Sequence, residues 1–229
     1  MQIKFNLDLK ERLAVWEFPD PAASYVIGGD TSEGIEGGDA SSLQILKRRP
    51  LVQVATWWGY VEGYEFGRIS RLIAYWYNTA ILAIERNSNG IVALDHLRAV
   101  AYPNLYKMQK FDFETMDYTE RIGWITTSHT RDLWKDSLRD DVREGAMIIN
   151  DPDTLAEMKT FVRSKRSGKV QASPGNRDDR VVALGIASYV NRITPLSFSQ
   201  GVGKKELYIE RIRKQEQMNV PITLGRYDY

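Results

Sequence analysis

Tyr25-Val-Ile-Gly-Gly-Asp30, running on into Thr31-Ser-Glu-Gly-Ile-Glu-Gly-Gly38, is the stretch on which the reading of this 229-residue chain turns. A short, β-branched apolar run that closes on an acid and opens into a glycine-rich loop predicts a buried strand delivering a carboxylate to a turn. Working outward, Ser41 to Lys47 and Leu51 to Trp58 read as two more strands, with Lys47-Arg48-Arg49-Pro50 between them. Three strands on short connections predict an antiparallel meander. Tyr64 to Asn78 sets Phe66, Ile69, Leu72, Ile73 and Trp76 at helical spacing, which predicts a helix burying one face. Ala80-Ile-Leu-Ala-Ile-Glu85 is too short for a helix and apolar throughout, so it predicts a strand covered on both faces. It too ends in an acid.

Asn87 or Ser88 can cap a helix carrying Ile91, Leu94, Leu97 and Val100. Residues 101–129 read as short strands and turns, including Leu105-Tyr-Lys-Met and Gly123-Trp-Ile-Thr-Thr127, before a helix opened by Thr130 or Asp132. Met147 to Asn150 is brief and extended, Asp153 and Glu157 begin another helix, and Lys169-Val-Gln-Ala172 is a short edge segment. Ser173-Pro-Gly-Asn-Arg177 is turn chemistry, after which Asp178 and Asp179 open a helix through Val181, Leu184 and Ile186. Glu206 to Gln217 is a charged helix candidate. The order predicts one mixed α/β sheet, a three-stranded antiparallel meander plus parallel strands, with helices on both faces.

Composition narrows the chemistry. There is no cysteine, which excludes disulfides, zinc–thiolate and iron–sulfur sites and a cysteine nucleophile. The two histidines, His96 and His129, stand far apart, so carboxylate-held Mg²⁺ or Mn²⁺ is the expected kind of metal. The N-terminal stretch has no signal core, and no apolar run reaches the roughly 18 residues of a membrane span, which points to a reducing cytoplasm. Net charge is +1, yet residues 1–150 carry 17 basic and 21 acidic residues while 151–229 carry 14 basic and 9 acidic. The densest basic stretch, Lys159 to Arg180, includes Arg163, Lys165, Arg166, Lys169 and Arg177 around the acid pair Asp178-Asp179. Such a cluster suits phosphate binding, because each neutralised phosphate releases counterions.

Asp30, Glu85 and Asp178-Asp179 thus stand at two strand ends and one helix start, positions that can converge at one edge of an open α/β sheet. Carboxylates gathered there repel unless cations neutralise them. Two hard divalent ions at such a site can clamp the attacking and leaving oxygens of an in-line phosphoryl displacement.

Three stretches resemble the nuclease domain of the large terminase subunit of tailed bacteriophages, a member of the RNase H-like superfamily: Tyr25 to Asp39, Ala83-Ile-Glu85-Arg-Asn87-Ser-Asn89-Gly90, and Gly175-Asn-Arg-Asp178-Asp179-Arg-Val-Val-Ala-Leu-Gly-Ile-Ala187. Gly123 to Thr127 is similar to the intervening strand and turn, and the likeness spans about residues 14–190. The resemblance implies an RNase H-like endonuclease that cuts double-stranded DNA with little sequence preference, using two Mg²⁺ or Mn²⁺ ions, in the host cytoplasm. It implies Asp30, Glu85 and Asp179 as metal ligands, Asp178 as a neighbouring catalytic acid or cap, and Asp39 as an auxiliary acid. Lys169 is then expected near the scissile phosphate, with Lys165, Arg166, Arg177 and Arg180 on DNA. The family commonly has His just before the paired acids, where this chain has Arg177.

No G-x-x-x-x-G-K-[ST] phosphate loop occurs, so the expectation is an isolated nuclease domain of a longer chain whose partners are the ATPase domain, the small terminase subunit and the portal. Residues 1–195 are expected to form that domain and 196–229 a partly helical extension. Two alternatives stay open: another RNase H-like enzyme, such as a resolvase or transposase core, and a non-catalytic DNA-gripping or docking module.

Overall fold

A computed structural model describes residues 12–112, 116–163, 170–172 and 177–196. In chain order the elements are β1 (Leu13–Val15), β2 (Tyr25–Asp30), β3 (Ser41–Arg48), β4 (Leu51–Gly59), α1 (Gly63–Trp76), β5 (Ile81–Ile84), α2 (Ser88–Ala99), β6 (Lys107–Asp112), β7 (Asp117–Ile122), α3 (Ser128–Arg143), β8 (Met147–Ile148), α4 (Pro152–Thr160), β9 (Phe161–Arg163), β10 (Val170–Ala172) and α5 (Asp179–Ile193). The main sheet runs β1-β4-β3-β2-β5, with β8 also pairing β4. The expected meander is there as β2, β3 and β4, antiparallel throughout, and β5 adds to β2 in parallel.

The period of two along β2 explains the layers. Ile27 packs with Leu43, Ile45, Phe66, Ile73 and Leu94, the layer under α1 and α2. Val26 turns the other way and packs with Leu46, Ala83, Trp134, Leu184 and Ile186, the layer under α3 and α5. With both faces covered, β2 reads as a continuous apolar run rather than an alternating one. Gly28 shares the face of Val26, and a Cβ there would run into the backbone of Ala183 and Ala187. The missing side chain lets α5 lie directly on β2. By the same alternation Asp30 faces the side on which α5 begins with Asp179.

The structure adds what the pattern did not foresee. β1 extends the edge of β4, pairing Leu13 to Val15 with Ala55 to Trp57. β6 and β7 pair antiparallel in a separate two-stranded sheet, and β10 pairs with β9 in another. Helix α3 starts earlier than Thr130 or Asp132, because Thr127 and Thr130 form a capping box: the Thr130 N–H donates to Thr127 Oγ1 (3.1 Å) and the Thr127 N–H to Thr130 Oγ1 (2.7 Å). The helix expected at Glu206 to Gln217, and all but Leu196 of the extension expected at 196–229, lie outside the described residues. No described helix is long and apolar enough to cross a membrane.

Candidate functional site

The ends of β2 and β5 and the start of α5 open on one cavity of about 610 Å³. Asp30, Glu85, Asp178, Asp179 and Asp39 all line it, as does Glu33. The three acids singled out at element ends are therefore brought together, although they are separated by 55 and 94 residues along the chain.

Each acid is held by the local fold. Parallel pairing puts the Glu85 N–H on the Gly29 carbonyl at 2.7 Å, and the register that sets Gly29 opposite Ile84 brings Glu85 level with Asp30 on the neighbouring strand. The Glu85 carboxylate accepts from Thr126 Oγ1 on one oxygen and from Asn87 Nδ2 (3.2 Å) on the other. Asn87 is a junction. Its Oδ1 accepts from the Gly90 N–H (2.7 Å), capping α2, and from Thr31 Oγ1 (2.9 Å), while its Nδ2 also donates to the Thr31 carbonyl (2.8 Å). One amide thus ties the loop after Asp30 to the loop after Glu85. Gly90 makes the tie possible, because a Cβ there would collide with the Glu85 carbonyl.

Asp179 is 5% exposed and accepts a hydrogen bond from the Ala40 N–H at 3.1 Å, which fixes the far end of the glycine-rich loop against α5. Asp178, at the N-cap, does not cap its own helix with its side chain; it holds the Arg131 guanidinium at 3.2 Å. The cap comes from α4. Glu157 accepts from the Arg180 N–H (2.9 Å) and from the Arg180 guanidinium (2.9 Å), so an acid from another helix closes the first turn of α5.

The electrostatics are those of a crowded acid cluster. Burial, then the charge of Glu85, a hydrogen bond with it, and the charges of Asp179 and Asp178 push the Asp30 carboxyl well above its ordinary range. Asp179 is pushed up to about 6, chiefly by burial, with Glu157, Asp39 and Asp178 adding to the effect and the Ala40 N–H opposing it. Among the described residues no three acids or histidines converge closely enough to hold an ion as they stand. The donors nevertheless fit an oxygen-preferring divalent cation: every titratable ligand type on this wall is a carboxylate, and removing their mutual repulsion is what a cation would do. His96 is placed elsewhere, edge-on to the Tyr64 ring at 4.6 Å.

The expected DNA-facing cations fare unequally. Lys165, Arg166 and Lys169 lie outside the described residues. Arg177 lies over the rings of Trp58 and Tyr60, 5.5 Å from each centroid. Arg180 is engaged by Glu157 (2.9 Å), Asp153 (3.2 Å) and Asp151 (3.5 Å), so its charge is already matched within the protein. Its partners lie more than 20 residues back, where a local reading of the basic run does not reach. Asn87 and Thr126 were legible only as a cap and as part of a strand and turn. Arg131 left no local signal at all.

The same arrangement of sheet and helices occurs in solved structures. The large terminase nuclease from the thermophilic phage G20c with bound cobalt superposes with a TM-score of 0.61 at 18% identity, over 79% of this chain and 88% of that one. The chain has the fold of a large terminase nuclease domain. The magnesium-bound form of the G20c nuclease gives a TM-score of 0.60 at 18% identity over the same shares. The Thermus phage P74-26 large terminase nuclease domain gives 0.57 at 18% identity, over 77% of this chain and 84% of that one. No family model and no curated protein sequence matches the chain. The terminase-nuclease fold is thus present here at low sequence identity, with the mixed sheet expected from the motifs, an antiparallel meander plus a parallel strand.

Proposed function

We propose that the chain is the nuclease domain of a DNA-packaging terminase, a divalent-metal-dependent endonuclease acting on double-stranded DNA. The observation that carries this reading is the meeting of Asp30, Glu85 and Asp179 in one cavity, with Asp30 held in a repulsive acid environment. Metal-bound forms of the G20c nuclease, with cobalt and with magnesium, support the same kind of cofactor here. Asp30, Glu85 and Asp179 would together hold the two Mg²⁺ or Mn²⁺ ions, with Asp30 flanked by the other acids. Divalent ions bound there supply charge neutralisation for the attacking water and the departing oxygen in an in-line displacement at phosphorus.

The chain's own residues do the positioning. Thr126 and Asn87 orient the Glu85 carboxylate, and the Ala40 N–H orients Asp179. Water attacks phosphorus as the bond to the 3′ oxygen breaks, leaving a 5′-phosphate and a 3′-hydroxyl. Arg177, pre-set on two aromatic faces, and the basic residues Lys165, Arg166 and Lys169 are assigned to the DNA backbone, with Lys169 nearest the scissile phosphate and Asp39 auxiliary. Contacts of this kind bind phosphates without reading bases, which suits cutting with little sequence preference. The ATPase domain of the same large subunit, the small subunit and the portal are the partners this function requires, in the cytoplasm of the host. Nicking of supercoiled plasmid with Mg²⁺ or Mn²⁺ tests the proposal: wild type should nick, and Asp30→Asn should not. Equal nicking by both would overturn it, and DNA binding without cleavage in every divalent metal would favour the docking module.

A further inference from the structure

The cavity wall carries six acids, Asp30, Glu33, Asp39, Glu85, Asp178 and Asp179, and among the described residues a single cation, Arg131. With every carboxylate ionised, even two divalent ions leave that wall negative. For nuclease action a DNA phosphate must nevertheless enter it. Arg131 sits in the first turn of α3, whose N-cap Thr127 directly follows Thr126, the residue that holds Glu85. The same short segment therefore orients a metal-ligand acid and presents a guanidinium beside it.

The geometry points to Arg131 as a phosphate-contacting residue of the reaction, kept in place by Asp178. This rests on the nucleic-acid reading of the cavity. Arg131 donates to Asp178 at 3.2 Å through one Nη, and both side chains remain partly open, at 39% and 30% exposure. Asp178 is released for that task because Glu157 of α4 closes the α5 N-terminus in its place. A guanidinium bound on one side keeps further donors of its planar fork for a phosphate, and a charge-assisted fork is stronger and more directional than an ammonium. Asp178 is thereby assigned to Arg131 and not to the metal, which leaves Asp179 as the helix acid of the metal site. Arg180, the other arginine of this helix start, is committed to three acids and offers no such fork.

Arg131→Ala, Arg131→Lys, Asp178→Asn and the Arg131→Ala/Asp178→Asn pair, made in the full chain, test this against wild type. Three readouts are needed: Mn²⁺-dependent plasmid cleavage, duplex DNA binding by fluorescence anisotropy in Ca²⁺ across a salt series, and the Mn²⁺-induced rise in melting temperature. Arg131→Ala should lose about ten- to a hundredfold in kcat/KM, and the salt dependence of DNA binding should flatten by about one phosphate contact. Its Mn²⁺ shift should match wild type. Arg131→Lys should recover the salt dependence but only part of the cleavage. Asp178→Asn should keep the Mn²⁺ shift and tighten DNA binding, and that gain should shrink in the double variant. Cleavage and salt dependence at wild-type levels in Arg131→Ala would overturn the assignment. So would loss of the Mn²⁺ shift in that variant, which would make Arg131 a support for the acids. If wild type cleaves nothing, the nuclease reading fails, and the anisotropy series still decides whether Arg131 touches phosphate.

Discussion

Glu85 is fixed by two side chains that make no claim to chemistry of their own. Thr126 and Asn87 each donate to one of its oxygens, which fixes the orientation of the carboxylate beside Asp30. Partners of this kind set ligand geometry, and their loss commonly costs about 10–100-fold in metal affinity. Thr126→Val keeps the shape and removes the donor. It should weaken Mn²⁺ binding by about that factor while changing the metal-free melting temperature little, as titration calorimetry with a parallel melt would show. Asp179 gives a pH signature. Its carboxyl is raised from 3.8 to about 6 in the folded chain, so between those values the native state holds a proton that the unfolded state has lost. Metal-free stability should therefore fall as pH rises through that window, by at most about 3 kcal/mol. Mn²⁺ affinity should move the opposite way, falling as pH drops through about 6, because the ion competes with the proton on Asp179 and on Asp30, whose carboxyl is also raised. A stability curve that climbs with pH across this range would contradict the assignment of a desolvated Asp179.

At the level of elements, α5 matters most, because it both covers the sheet and delivers Asp179. Its contact with β2 depends on Gly28, and Gly28→Ala should overpack that contact and cost about 1–3 kcal/mol in urea unfolding. Its first turn depends on Glu157. Glu157→Ala removes the cap and the shortest of the three ion pairs of Arg180, with Asp151 and Asp153 still in place, for a loss of about 1–3 kcal/mol. Glu157→Gln, which can still accept the Arg180 N–H, should recover part of it. The elements also separate what sequence could tell from what it could not. Buried strands show themselves as unbroken apolar runs, so β2 and β5, with the acids that close them, were legible, and so was the helix after Asp178-Asp179. The short strands β1 and β9 carry too few residues for a period, and β6 and β7, mixed in polarity, form a two-stranded sheet apart from the main one. Arg180 looked like one more cation in a basic run, since charge density along a chain says nothing of acids arriving from α4.

For the whole molecule, the net charge of +1 conceals a division of labour. Acids from the N-terminal two-thirds and from α5 gather in one cavity, while cations concentrate in the last third of the chain. The acid cavity is a source of instability until cations fill it, so metal binding should act on the fold as a whole. At an ion concentration about a hundred times the dissociation constant, mass action adds about 2.7 kcal/mol. Wild type should therefore melt several degrees higher in Mn²⁺, and Asp30→Asn should show little of that rise. Anomalous scattering from crystals soaked in Mn²⁺ tests the metal site directly. Peaks are expected in the cavity in contact with the carboxylates of Asp30, Glu85 and Asp179, with Asp178 still on Arg131. A cavity without a peak at millimolar Mn²⁺, or ions bound only at other acids, would contradict this assignment of the ligands.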